Sequence, residues 1–363
     1  MTFPTDYGAI IDRIKNIDPI RYGKTRNYID GDVTFLSPYI SRGVISTKEI
    51  LEITFNRGFS PKEIEKFIQE LVWREYWQEI WWSKGESIDE DLRHLQIDVL
   101  YKGMPKSVLA AETGVTGIDQ GIESLYHSGY MHNHIRMYTA SLICNIGKRQ
   151  WYIPAKWMYF HLLDGDWASN ALSWQWVAGS NSDKKYYANQ ENINRFCHTK
   201  QTDTFLDRSY EELAQMSCPD QFIADANLEL KTELPPRNDI QIDSTIPTVL
   251  YTSYNLDPNW LQDVKANRVL ILEPSHFEKY PVSQKVLDFI MALSQNISGI
   301  QVFVGEYKEL VERYSPGEIY FKNHPFTRYF KGIGTDFDKI MPISGDFSSF
   351  FKYWNKGKKS VQW

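Results

Sequence analysis

The sequence predicts an α+β chain of two parts, an all-helical segment over residues 1–200 and a small Rossmann-like parallel α/β segment over 247–363. Three observations carry this. Residues 61–82 repeat apolar positions at helical period, with Ile64, Phe67, Ile68 and Leu71 on one stripe. After residue 247, short β-rich runs (248–254, 268–272, 300–305, 318–321) alternate with helical ones (284–293, 306–313), the order that builds a parallel sheet. Between the parts, residues 201–246 are polar and contain Glu233-Leu234-Pro235-Pro236-Arg237, the composition of a surface linker.

The helical part reads as follows. Ile10, Ile11, Ile14 and Ile17 recur at helical spacing ahead of Pro19. Ser37-Pro38 is expected to open a helix, with Ser37 as the N-cap and Pro38 at the first helical position. Thr34 and Ser37, with Arg26 and Arg42 near, suit a phosphate, although most such hydroxyls only cap. On the 61–82 helix, Glu70, Trp73, Arg74 and Trp77 share a second face. They either line a pocket for a planar ligand or form an ion pair with aromatics laid along the helix. A capped helix ends near Gly129, and the next carries Asn133, Arg136, Met137 and Ala140 on one face. Pro154 starts a further helix. Residues 162–166 then turn sharply into one that displays Asn170 and Trp174.

Composition narrows the function. A net charge of -6 and a pI near 5.8 weigh against a protein that binds nucleic acid over its whole surface. Three cysteines without a CxxC pair fit a reducing compartment and argue against structural zinc. Neither an export leader nor a window of the ~18 apolar residues needed to cross a bilayer occurs, so a soluble, cytoplasmic protein is expected. GxGxxG, GxxxxGK[ST] and GxSxG are all missing. His132-Asn133-His134 spells the letters of a nuclease motif, but histidines two apart on a helix point to nearly opposite sides and share no metal.

The informative stretch is 131–137 taken with 162–179. Trp151, Trp167, Trp174 and Trp176 lie close in sequence to Asn133, Arg136, Asp164, Asp166 and Asn170, in a chain with 12 tryptophans. A plain core or a solvated face rarely carries that mixture. A buried redox group with polar neighbours and aromatic electron relays calls for it.

These segments (LSPYISRGVIS, FIQELVWREYW, SGYMHNHIRM and LLDGDWASNALSWQW) resemble, in order and spacing, the helical FAD-binding domain of the photolyase/cryptochrome family. The resemblance runs from about Tyr22 to Gln190. It implies that Tyr22, Arg26, Thr34, Leu36, Ser37 and Arg74 hold the phosphate side of FAD, although Val33-Thr34 stands where a Thr-Ser pair is usual. It implies that Arg136 and Asp164 form an ion pair over the flavin, with Asp166 a companion carboxylate, Asn133 a further cofactor contact and Asn170 facing the redox-active nitrogen. Asparagine there resembles photolyases, and a neutral amide suits reduced flavin states.

Glu70, Trp73, Asn133, Met137 and Trp176 match the pocket for a flipped cyclobutane pyrimidine dimer. Trp174 and Trp151 match the first two members of a tryptophan relay whose third member is missing at 95–98; Tyr101 or another aromatic is a candidate. His134 and Asn189 replace basic DNA contacts, for which Lys184 and Lys185 are possible substitutes. Residues 247–355 look like the family's antenna domain placed after the helical one, a circular permutation, with its chromophore unknown.

The resemblance implies a monomeric, FAD-dependent deoxyribodipyrimidine photo-lyase acting on damaged single- or double-stranded DNA, with no metal and no membrane. The rivals are a cryptochrome-like blue-light receptor without repair activity and a light-independent nucleic-acid binder.

Overall fold

The structure, a computed structural model, describes residues 2–361. Its contacts group the chain into two compact units: 21–33 with 84–230, and 2–20 with 34–83 and 231–363. The linear division at 1–200, 201–246 and 247–363 is therefore not how the chain packs. The reason lies in the early helices. Tyr7 donates its N–H to Asn296 at 2.9 Å, Leu256 donates its N–H to the Arg42 carbonyl at 2.9 Å, and the Glu65–Lys84 helix holds residues from the end of the chain. Helices read as part of the first domain thus join the α/β sheet.

The first unit is helical. Its central helices are Thr116–Ser128, Asn133–Ser141, Tyr152–His161 and Trp167–Ala178. Trp167–Ala178 buries Trp167, Ala168, Asn170, Ala171, Leu172 and Trp174, so it is a core helix and not a half-solvated one. Thr116–Ser128 stops at Gly129, whose φ of +71° is the left-handed cap that glycine adopts without cost. A Cβ there would lie 2.6 Å from the Leu163 side chain. Pro154 is the third residue of its helix, which begins two residues earlier than the sequence suggests because the missing N–H costs nothing anywhere in the first turn.

In the first unit two short strands, β1 (Met104–Pro105) and β2 (Asp225–Ala226), pair antiparallel; in the second, β3 (Thr248–Tyr251), β4 (Asn267–Leu272), β5 (Ile300–Val304), β6 (Ile319–Lys322) and β7 (Ile333–Thr335) form a parallel sheet of order β5-β4-β3-β6-β7. Thr248 pairs with Asn267 on one side and Ile319 on the other. Strand β4 is buried along its length, which explains its unbroken apolar run VLIL. The chain order reverses between β3 and β6, where doubly wound sheets usually hold ligands. Here packed rings occupy those positions. Tyr254 stacks on His324 at 4.4 Å, and Trp81 meets His324 edge-on at 5.0 Å. Nearby, burial drives His276 down to about 3 and His324 well below the usual histidine range, so both are neutral at pH 7.

Residues 339–357 cross the Glu65–Lys84 helix as a strap. Glu75, fully buried, accepts from the Thr47 hydroxyl at 2.5 Å and from the Ile340 and Met341 N–H groups at 2.8 and 3.0 Å. One turn on, Glu79 pairs with Lys339. Burial pushes the Glu75 carboxyl up to about 7, against the pull of its donors. A carboxyl raised in the folded state contributes stability below its unfolded value and loses it as pH rises through the folded one. Wild-type stability relative to Glu75→Gln should therefore fall between pH 4.5 and 7, by about 3 kcal/mol. Urea titrations of both proteins across that range check it, and parallel curves would refute it.

Candidate functional site

In the first unit the site is built from two turns tied together. The Gly129 carbonyl accepts the Leu163 N–H at 2.8 Å, fixing the 162–166 turn beside the residues that precede Asn133–Ser141. From that helix Arg136 reaches back, its Nε donating to the Met131 carbonyl at 2.7 Å and its Nη2 to Asp164 at 2.9 Å. The side chains of this pair are 20% and 6% exposed, so each charge has left most of its water for the other. Asp166 is the N-cap of the next helix, accepting the Ser169 N–H at 2.7 Å. One turn on, buried Asn170 donates its amide to the Ala155 carbonyl at 2.8 Å, which sets the plane of its side chain.

The same unit carries the other first-unit candidates. Asn133 and Met137 lie at i and i+4, the first exposed and the second half-buried. Trp174 is buried, while Trp176 is 39% exposed and leans on Tyr186 at 5.8 Å. Tyr22 and Arg26 are half-buried, and Arg26 donates to the Gly23 carbonyl at 3.3 Å. His132 is the N-cap of its helix, its Nδ1 accepting the His134 N–H at 3.2 Å. Burial first, and then nearby cationic groups, hold both histidines down at about 4. Position 134 is thus neutral at pH 7. Lys185 is spent on Asp98 at 3.0 Å, leaving Lys184 as the exposed one of the two. Among the described residues, no group of three or more histidine, cysteine or acidic side chains could hold a metal.

In the second unit, Ser37 is not the N-cap. Helix Ser37–Ser41 is entered through Phe35 at φ +53°, with Leu36 at the cap position and the Thr34 hydroxyl accepting the Leu36 N–H at 3.3 Å. That local turn places Pro38 second in the helix, where it is still free of a missing bond. Glu70 pairs with Lys66 at 2.8 Å, and Arg74 is half-buried on the same helix. Trp73 is held face to face by Phe350 of the strap, ring centroids 3.8 Å apart and planes 8° from parallel. Trp77 lies 5.2 Å and Tyr76 5.7 Å from it.

Sequence reasoning missed four further contacts. Trp151, fully buried, donates its Nε1–H to Asp91 at 2.8 Å, and Trp167 donates to Asp89 at 2.6 Å. Gln96, in the loop where the outer relay residue is expected, accepts the Trp151 N–H at 3.0 Å. Tyr152 lies with its ring 5.5 Å from Trp151. Tyr101 instead packs under the Arg149 guanidinium at 4.6 Å.

The buried turn offers an arginine–carboxylate pair, a capping carboxylate and an oriented neutral amide. That donor set suits a polar ring system, with the Asp164 carboxylate already paired to Arg136. Comparison with known proteins agrees. The family model described as the FAD binding domain of DNA photolyase matches residues 67–250, half of the chain. The chain is 33% identical over 192 residues to a deoxyribodipyrimidine photo-lyase of Agrobacterium fabrum, covering 50% of this chain and 39% of that one. It is 30% identical over 159 residues to that of Streptomyces griseus, covering 43% and 34%. It thus spans well under half the length of these relatives. A cryptochrome from Synechocystis sp. PCC6803 shares the fold at a TM-score of 0.50 and 22% identity, over 54% of this chain and 44% of that one. With half of its length matched by that domain, the chain belongs to the photolyase/cryptochrome family and carries its FAD-binding domain.

Proposed function

We propose that this protein is an FAD-dependent, blue-light-driven DNA repair enzyme that opens cyclobutane pyrimidine dimers. The observation that carries the reading is the Arg136–Asp164 pair beside Asp166 and Asn170, within the stretch matched by the FAD-binding domain. When bound, FAD supplies one electron to the dimer under illumination and takes it back once the ring has split. Arg136 and Asp164 hold the ring end and bring no net charge into the buried site. Asn170, braced on Ala155, presents a neutral amide. Asn133 and Met137 give a polar and an apolar contact to an extruded base, and Trp176 a stacking face. Glu70 hydrogen-bonds the dimer and Trp73 adds apolar surface. Residues 247–355 are the counterpart of the antenna domain in permuted order, a reading supported by their doubly wound parallel sheet.

A light sensor without repair activity is the second reading. Phe350 stacked on Trp73 and the neutral state of His134 favour it, since both withdraw DNA contacts. The test is repair of a thymine-dimer oligonucleotide by the purified yellow protein under blue light. Repair is expected, and Glu70→Ala or Asn133→Ala should slow it by roughly tenfold or more with colour retained. Intact colour without repair would move the assignment to the sensor.

A further inference from the structure

We propose that Asp91 is the proton acceptor for oxidised Trp151, so that the protein stabilises light-driven charge separation by moving a proton where its relatives would use a third tryptophan. The inference rests on the flavoprotein reading above and deepens it. Trp151 is fully buried, which denies its indole N–H to water. That N–H instead meets the Asp91 Oδ1 at 2.8 Å, and the other carboxylate oxygen accepts the Gln96 N–H at 2.9 Å. Both oxygens accept, as in an ionised carboxylate, and the Gln96 bond fixes its aim. The same Gln96 accepts the Trp151 backbone N–H at 3.0 Å. The loop that lacks an outer aromatic at 95–98 therefore grips Trp151 with a base.

Photoexcited oxidised flavin is the one-electron oxidant, and the electron leaves Trp151 by way of Trp174. An indole radical cation is a far stronger acid than indole. Its Nε1–H bond breaks, the bonding pair stays on nitrogen, and the proton forms an O–H bond at Asp91. The products are a neutral tryptophanyl radical and a carboxylic acid. With the positive charge gone from Trp151, the electron has less pull to return. A thiol reductant later supplies the missing electron, and the proton goes back to Nε1. Tyr152 stands 5.5 Å away and is half-buried, which makes it the rival terminus.

Flash excitation of the FAD-loaded full-length protein, followed by transient absorption, tests this. Wild type should yield the neutral tryptophanyl radical, at a rate slowed in D2O. Asp91→Asn keeps the side chain's size and one acceptor oxygen. It should leave the radical cation in place and shorten the charge-separated state roughly tenfold. Tyr152→Phe should change neither. If Asp91→Asn fails to fold, time-resolved infrared spectra of wild type decide: a protonated-carboxyl C=O band must rise together with the neutral radical. A persistent radical cation in wild type, no isotope effect, or a tyrosyl radical lost in Tyr152→Phe would overturn the proposal. A yellow, flavin-loaded protein giving any of those results leaves the flavoprotein reading standing. Failure to bind flavin or to form any radical overturns both.

Discussion

Replacing Asp164 by alanine should strip the protein of flavin and cost its fold about 3 kcal/mol, at the low end of the range for breaking a buried ion pair. The low end applies because the Arg136 side chain keeps 20% of its exposure and can recover part of its hydration. Its Nε remains anchored on the Met131 carbonyl, so the guanidinium stays in place carrying an uncompensated charge. Asp164→Asn, which preserves shape and one acceptor, should lose the colour and retain more of the stability. Urea unfolding and visible absorbance of the two variants separate these effects. Wild-type stability and full flavin content in Asp164→Ala would mean that the pair is incidental to both fold and cofactor.

Phe350→Ala should be the second large effect, costing about 3–5 kcal/mol as a buried aromatic is cut to a methyl. Phe350 is 3% exposed and stacks on Trp73 at 3.8 Å, so both the area and the ring pairing are lost. The strap has other anchors: Glu75 on the Ile340 and Met341 N–H groups, Glu79 on Lys339, and the Tyr76 hydroxyl donating to the Phe347 carbonyl at 3.3 Å. The variant should therefore stay folded and bare one face of Trp73. If that indole serves the dimer, repair should rise in Phe350→Ala and fall in Trp73→Ala. If Trp73 is purely a packing residue, both variants lose stability and neither changes repair. Phe350→Leu, which refills most of the volume without the flat ring, distinguishes a cavity effect from a stacking one.

Most of the secondary structure was legible because it is written in local chemistry. The helical period of Ile64, Phe67, Ile68 and Leu71 and the glycine stop at Gly129 both act within a few residues of themselves. The strand–helix alternation after residue 247 likewise gave the parallel sheet. What could not be read was long-range. Nothing near Trp73 announces Phe350, 277 positions later, and nothing near Trp151 announces Asp91, 60 positions earlier. The Glu65–Lys84 helix illustrates the limit well. It has a weak apolar stripe because aromatic and acidic residues are buried on more than one side of it, Tyr76, Ile80 and Trp81 along with Glu75 and Glu79. Its sequence left open a pocket for a planar ligand and an ion pair with aromatics laid along the helix; the Phe350 ring that stacks on Trp73 comes from far along the chain. Ser37 went astray for a smaller reason: Phe35 enters the left-handed region, and the Thr34 hydroxyl, not that of Ser37, takes up the nearby N–H.

The Arg136–Asp164–Asn170 site is proposed to bind a flavin that exchanges single electrons in light. The most direct measurement is the absorption spectrum of the purified, FAD-supplemented protein before and after blue illumination with a thiol reductant. A yellow protein is expected, with stoichiometric, protein-bound FAD whose visible band bleaches in the light and recovers in air. A folded protein that emerges colourless and retains no FAD would contradict it.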